Sequence, residues 1–343
     1  MIDALNWTLA LAPVLLLAVL FEWLDVFRLM DKRELLGLLL LGGLAALAAW
    51  PVSGQVLDNL PMGFTFYSRV VAPWIEEALK GAAILWLVWR NRVGFTLDAV
   101  ICGFTIGAGF SVVENVFYLL RYPDLAAGVW LVRGFGTAVM HGGATAIFGI
   151  AGMTLEDHGG LPRGLGWATA LTLAAAIHSV YNHFFLSPIL STALVLIALP
   201  PIIFAVFRRS EKALEQWLNV GFDADTEVLE MILSGNVSQS HVGTYLKSLK
   251  ERFRGEVVVD MLCYLRMHLE LSLRAKGLLM MREAGFPVAL DTSDKASLDE
   301  LEHLERSIGP TGKLAMAPFL RTTSRDIWQI YMMKDEAAHS VRS

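Results

Sequence analysis

The chain has 343 residues, 55% of them apolar, with a mean hydropathy of +0.51 and a formal charge of −5. No basic block and no basic–aromatic interleaving appears, so there is no nucleic-acid signature; two cysteines, Cys102 and Cys263, are too few for a disulfide framework. The averages conceal a break: residues 1–207 hold ten Lys/Arg and 13 Asp/Glu, whereas 208–343 hold 18 and 20 in two-thirds of the length. The expected fold class is all-α, a polytopic membrane bundle of about seven spans over 1–207 with a soluble, mainly helical domain over 208–343.

Seven apolar segments run over 4–23, 35–51, 66–89, 95–120, 128–153, 165–186 and 189–207, each near the twenty residues a bilayer requires. The first has no basic n-region, since Asp3 is its only early charge. It also lacks a clear small-residue cleavage site, and so reads as a retained span. The third to sixth carry Gly, Ala and polar residues along their length and should form the inner bundle. Lys and Arg concentrate in alternate connections: Arg28, Lys32 and Arg33, then Arg90 and Arg92, then Arg163, then Arg208, Arg209 and Lys212. Positive-inside counting therefore predicts a multi-pass protein of the cell (inner) membrane with its N-terminus outside and its C-terminal domain cytoplasmic. In that domain, helical spacing covers 211–219, 225–234, 238–251 and 256–284, punctuated by Gly235, Gly255 and Gly285-Phe-Pro287. Asp291-Thr-Ser-Asp294 predicts a cap before a charged helix at 296–307, and the last twenty or so residues are expected to fray.

Ionisable groups sit inside the apolar segments: Glu76, Glu77 and Lys80 in the third, Glu114 in the fourth, His141 in the fifth and His178 in the sixth. Each costs about 2.5–3.5 kcal/mol in hydrocarbon, so together they point to a buried polar site. Glu76 and Lys80 are i,i+4 neighbours and Glu77 and Lys80 are i,i+3, so the lysine can pair with one glutamate and leave the other free. Phe110 shares a face with Glu114, Asn115 lies beside them, and His178 shares a face with Asn182. By helical rise, Glu76 lies about 11 Å from Arg69, Glu114 about 9 Å from Leu120, His178 about 12 Å from Leu186 and His141 about 16 Å from Trp130. Four helices of alternating direction thus bring these groups to one depth, in the outer half or midplane.

Duller readings exist for each. The third-segment triad could be a structural ion pair, and Glu114-Asn115 a helix–helix bolt. Arg69, Arg121 and Arg133 lie near an interface and are expected to snorkel. Asp98, His158 and His183 sit near loops, and Trp7, Trp23, Trp50, Trp74 and Trp130 are expected in interfacial belts.

EEALK at Glu76–Lys80, FSVVE at Phe110–Glu114, His141, and HSVYN at His178–Asn182 together resemble the PrsW family of intramembrane proteases, related to the CAAX-prenyl-protease-like membrane peptidases. The likeness covers about residues 66–186. Two departures from the CAAX-like pattern, Lys80 in place of a later arginine and Glu114 in place of a histidine, fit PrsW better. The resemblance implies glutamate-dependent, cofactor-free peptide hydrolysis in the membrane. Glu76 or Glu77 would be the base, kept ionised by Lys80, with Glu114 steering the water. His178 and Asn182 would donate to the oxyanion, His141 would protonate the leaving amine or partner the water, and Phe110 and Asn115 would contact substrate. Three glutamates and two histidines could instead ligate zinc, although no HExxH is present.

The expected partners are the bilayer and a single-span membrane protein cut near its extracytoplasmic end. Site-1 cleavage of an anti-sigma factor is the family's pattern, and the partner of the cytoplasmic domain is open. Two other classes compete. A proton- or cation-coupled transporter would use the Glu/His/Lys relay, but no repeat or paired interrupted segments are present. A non-catalytic membrane scaffold would tolerate loss of Glu77 or His178.

Overall fold

The computed structural model describes residues 4–24, 32–90, 92–93, 96–157, 164–234, 237, 240–286, 290–320 and 328–334. Asp3, Arg28, His158, Arg163, Gly235 and Pro287, named above, lie outside the described residues. Every regular element described is a helix, and helices occupy all seven apolar segments. They are α1 (Ala4–Leu24), α2 (Lys32–Asn59), α3 (Ala72–Trp89), α4 (Thr96–Arg121), α5 (Ala138–Asp157), α6 (Leu165–His183) and α7 (Pro188–Leu233).

Among the described residues, Arg33–Asn59, Asp98–Arg121 and Ala127–Glu156 are long and apolar enough to cross a bilayer, as befits a helical membrane protein. Ala4–Leu16 and Pro188–Ala198 are apolar but shorter. Three of the seven expected spans are thus in place by length and composition. In α3 the apolar run is interrupted by Glu76, Glu77 and Lys80, and in α6 by His178, Asn182 and His183. The residues that make these helices interesting are the ones that lower their hydropathy.

Two helices pass through a π turn near their start. A short turn at Phe64–Phe66 and a π-helical turn at Tyr67–Val71 lead into α3. Likewise Ala127–Leu131 and a π-helical turn at Val132–Thr137 lead into α5. A π turn holds one extra residue and loosens the regular hydrogen-bond ladder. At the first of them, α6 bonds the carbonyls: Ser179 Oγ donates to Arg69 O at 2.6 Å and Asn182 Nδ2 to Ser68 O at 3.0 Å.

In this first unit, Met1–Glu211, α4 lies between α2 and α5, α6 packs on α5, and α3 touches α2 and α6. Glycine makes the close approaches possible. A Cβ on Gly42 would overlap the Ile106 carbonyl oxygen and one on Gly109 that of Leu39, so α2 and α4 meet backbone to backbone. On the other side, a Cβ on Gly107 would overlap the His141 carbonyl oxygen, so this contact sets His141 against α4. Trp130 is fully buried and donates to Leu125 O at 3.2 Å.

The second unit, Lys212–Ser343, is built from the last turns of α7 with α8 (His241–Leu249), α9 (Gly255–Glu283), α10 (Thr292–Met316) and a helical stretch at 328–334. Leu246, Met261, Leu265, Leu278, Leu301 and Met333 are among the side chains of its core. The expected cap is present: Asp291 Oδ1 accepts from Asp294 N at 2.8 Å and Asp294 Oδ2 from Asp291 N at 3.1 Å, a reciprocal capping box. Arg274 of α9 then forks onto Asp294 at 2.9 and 3.0 Å. The helix outruns its expected end at 307, passing a kink at Gly309 (φ 66°) and Pro310 to reach Met316. The expectation of a fraying C-terminus is corrected at 328–334, where Trp328, Gln329, Ile330 and Met333 are buried. Gln329 is held by Ser272 Oγ at 2.7 Å, and Ser272 donates to Asp225, which is also paired with Lys276.

Replacing Asp294 with alanine removes half the capping box and the acceptor of Arg274. The α9–α10 pairing should lose about 2 kcal/mol. Hydrogen exchange of α9 and α10 amides in the full chain measures this directly; unchanged protection would show that the box does not hold the helix.

Candidate active site

The four polar helices deliver their ionisable groups to one place. Lys80 Nζ donates to Glu77 Oε1 at 2.6 Å and to His141 Nδ1 at 2.9 Å. His178 Nδ1 reaches the same Glu77 oxygen at 2.8 Å, and Thr145 Oγ1 lies 3.4 Å from the other. His141 Nε2 meets Glu114 Oε2 at 3.2 Å. The two imidazoles stand edge to face, 4.7 Å between centroids. Phe110 packs beside His141 and under the Lys80 ammonium, 4.8 Å from its ring centroid.

The three glutamates are in different circumstances. Glu77 is 1% exposed; Lys80 and His178 bond one of its oxygens, and Thr145 Oγ1, which donates to His141 O at 2.9 Å, lies 3.4 Å from the other. Glu114 is held by His141 and by Arg133 Nη2 at 3.1 Å. Glu76 is 17% exposed, and its nearest paired group is His178 Nε2 at 3.8 Å. It is the one carboxylate of the three with no lysine or arginine in contact among the described residues.

Part of this cluster floors a cavity of about 640 Å3. Glu76, Glu114, Arg133, His141, His178 and Asn182 face it, and Trp50, Ser53, Leu57, Tyr67 and Phe117 stand in its walls. Its floor is polar and its walls largely apolar and aromatic, the make-up of a ligand site.

Of the residues singled out above, Glu76, Glu77, Lys80, Glu114, His141, His178 and Phe110 come together. Asn182 lies at the cavity, with one amide hydrogen committed to Ser68 O. Asn115 is the exception to its expected role in substrate contact. It is fully buried and absent from the cavity wall, donating to Ala10 O of α1 at 2.9 Å and accepting from Arg133 Nε at 2.9 Å. It is the helix–helix bolt.

Arg133 is the second correction. Rather than snorkelling to an interface, it turns into the cavity and stacks its guanidinium 3.9 Å from the Tyr118 ring centroid. One signal for it existed: Glu114 is an acid in an apolar segment with no cation within a turn of it on its own helix. Thr145, which supports Glu77, gave no comparable signal.

The fold and site define a helical membrane protein with a glutamate–histidine centre set in a cavity between its helices. A family model described as PrsW family intramembrane metalloprotease matches residues 31–207, and the chain belongs to that family of membrane-embedded proteases. No curated protein and no solved structure matches the chain.

Proposed function

We propose that the chain cuts a peptide bond of a membrane-anchored protein inside this cavity, with Glu76 as the base that activates water. The observation that carries this is the sorting of the glutamates: two are tied to cations, and the third faces the cavity without one. A carboxylate free of a cation keeps the basicity that proton abstraction needs. Glu76 takes a proton from water as its oxygen bonds to the scissile carbonyl carbon. The tetrahedral oxyanion meets the second amide hydrogen of Asn182, the first being spent on Ser68 O. The proton then passes from Glu76 to the leaving amine as the C–N bond breaks. Glu77 holds His178 in orientation, so that Nε2 rather than Nδ1 faces Glu76.

One observation favours a metal-assisted form of the same reaction. An oxygen of Glu76 and one ring nitrogen each of His141 and His178 lie within 4.8 Å of one another. Two imidazoles and a carboxylate are a zinc donor set, and the Glu77–His178 bond is the kind that orients a ligating histidine. These three side chains offer donor atoms for a divalent metal, and the family is described as one of metalloproteases. A metal there would acidify a water and polarise the carbonyl. Against it stands His141, whose two nitrogens are already taken by Lys80 and Glu114. We favour the metal-free form on that ground.

Seven spans, an outside N-terminus, a cytoplasmic C-terminal unit and cleavage in the outer half of the bilayer belong to the same proposal, supported by the loop charges and the common depth of the acids. A membrane-anchored anti-sigma factor is the substrate class we expect.

The test is cleavage of single-span membrane peptides by the purified protein in lipid, with and without a chelator. Cleavage that survives chelation supports glutamate-activated water. Cleavage lost on chelation and restored by zinc assigns Glu76, His141 and His178 to a metal. A protein that cleaves nothing and instead passes protons or cations into liposomes is a transporter.

A further inference from the structure

We infer that Arg133 is a positioning residue for the hydrolysis proposed above, on which this inference rests: it is the internal counter-ion that fixes Glu114 and, through Glu114, the ring of His141. Glu114 projects from α4 into the cavity, and the cation that reaches it comes from the π turn before α5. One carboxylate oxygen, Oε2, lies 3.1 Å from Arg133 Nη2 and 3.2 Å from His141 Nε2. Whatever moves the guanidinium therefore moves the acceptor that sets the His141 ring.

The guanidinium itself is held on three sides by one stretch of α4. Asn115 Oδ1 accepts from Nε at 2.9 Å, Nη2 pairs with the Glu114 carboxylate by charge at 3.1 Å without hydrogen-bond alignment, and the Tyr118 ring lies 3.9 Å from Cζ. Asn115 is anchored in turn by its bond to Ala10 O. A planar fork with a flat face is needed to meet an amide oxygen, a carboxylate and an aromatic ring at once, and an ammonium cannot reproduce that arrangement. At 15% exposure the side chain is too enclosed to be a snorkelling surface cation.

The site then has two parallel arms. Lys80, Glu77 and His178 form one, and Arg133, Glu114 and His141 form the other, each ordered as cation, carboxylate and imidazole. Lys80 joins them through its second bond, to His141 Nδ1. His141 is therefore gripped at both nitrogens, and only one grip comes from the EEALK motif. Arg133 supports the other.

The experiment compares Arg133→Gln, Arg133→Lys, Glu114→Gln and the Arg133→Gln/Glu114→Gln double variant in the full chain, reading kcat and KM for a cleaved peptide together with thermal unfolding. Arg133→Gln should lower kcat about 10- to 100-fold, the usual cost of losing an outer supporting contact, with KM changed less than about twofold. Glu114→Gln should do the same. The double variant should be no slower than the slower single one, because residues acting as a unit are not additive. Arg133→Lys, which keeps the charge without the fork, should fold and still lose kcat. Losses that multiply in the double variant would overturn the inference, as would a loss confined to KM. Wild-type kcat in a folded Arg133→Gln or Arg133→Lys would reduce Arg133 to a structural clamp. A wild type that cleaves nothing overturns the peptidase reading itself, and this role with it.

Discussion

Glu76→Gln is expected to remove cleavage while leaving the protein as stable as before. A general base contributes about 10²- to 10⁴-fold to rate, and glutamine cannot accept the proton. Stability should hardly change, because no lysine or arginine depends on Glu76 and its surroundings are partly open. The change should stay within about 0.5 kcal/mol, as for other substitutions that break no hydrogen bond and no Lys or Arg pair. Its chain neighbour makes the control: Glu77→Gln, chemically the same change, should lose both activity and stability, since Glu77 is enclosed and serves Lys80 and His178. Rates on a single-span peptide and unfolding temperatures in detergent decide the matter. An active Glu76→Gln would remove Glu76 from the base role.

Lys80→Met is expected to be the most destabilising of the substitutions in the site. The ammonium is fully buried and bonded to Glu77 and His141. Methionine fills the volume and leaves a buried carboxylate without its cation, a change that costs about 3–5 kcal/mol in protein interiors. Adding Glu77→Gln to Lys80→Met removes the orphaned charge, so the double variant should recover most of that loss yet remain inactive, because His178 and His141 have both lost an anchor. Thermal unfolding of the three proteins measures this. A Lys80→Met protein as stable as wild type would mean that water reaches Glu77 and that the pair is not a structural element.

The meeting of the polar groups was legible in the chain because each sits at a countable distance along an apolar helix. Glu77 and Lys80 pair at i,i+3 as the spacing allowed, and the polar groups of four helices meet at one place. The Asp291–Asp294 cap was legible for a similar reason, being local chemistry within four residues. What stayed hidden depends on how separate helices face one another. Asn115 looked like a cavity residue because Glu114 is its neighbour, but adjacent residues on a helix point about 100° apart, and Asn115 turns to α1. Arg133 lies too close to the start of its segment for a depth argument to place it in the site, and only its register against α4 brings it there. Nor could periodicity separate Glu76 from Glu77, since both reach Lys80 by spacing. His178 and Thr145 from distant helices decide which is enclosed.

The two π turns at Tyr67–Val71 and Val132–Thr137 have a consequence for chain length. Each stores one residue beyond an α-helical turn. Deleting a single residue from either would let the helix close into regular α geometry, with no helix broken. It would also redraw the turn itself, taking its loose carbonyls into the regular ladder while the helix on either side kept nearly the same rotation. In the first case the Ser68 and Arg69 carbonyls would swing away from Asn182 and Ser179 while Glu76 stayed in place. In the second, Arg133 would leave Glu114 although His141 had not moved. A chain one residue shorter at either turn would keep every side chain of the four motifs and still lose the arrangement that joins them.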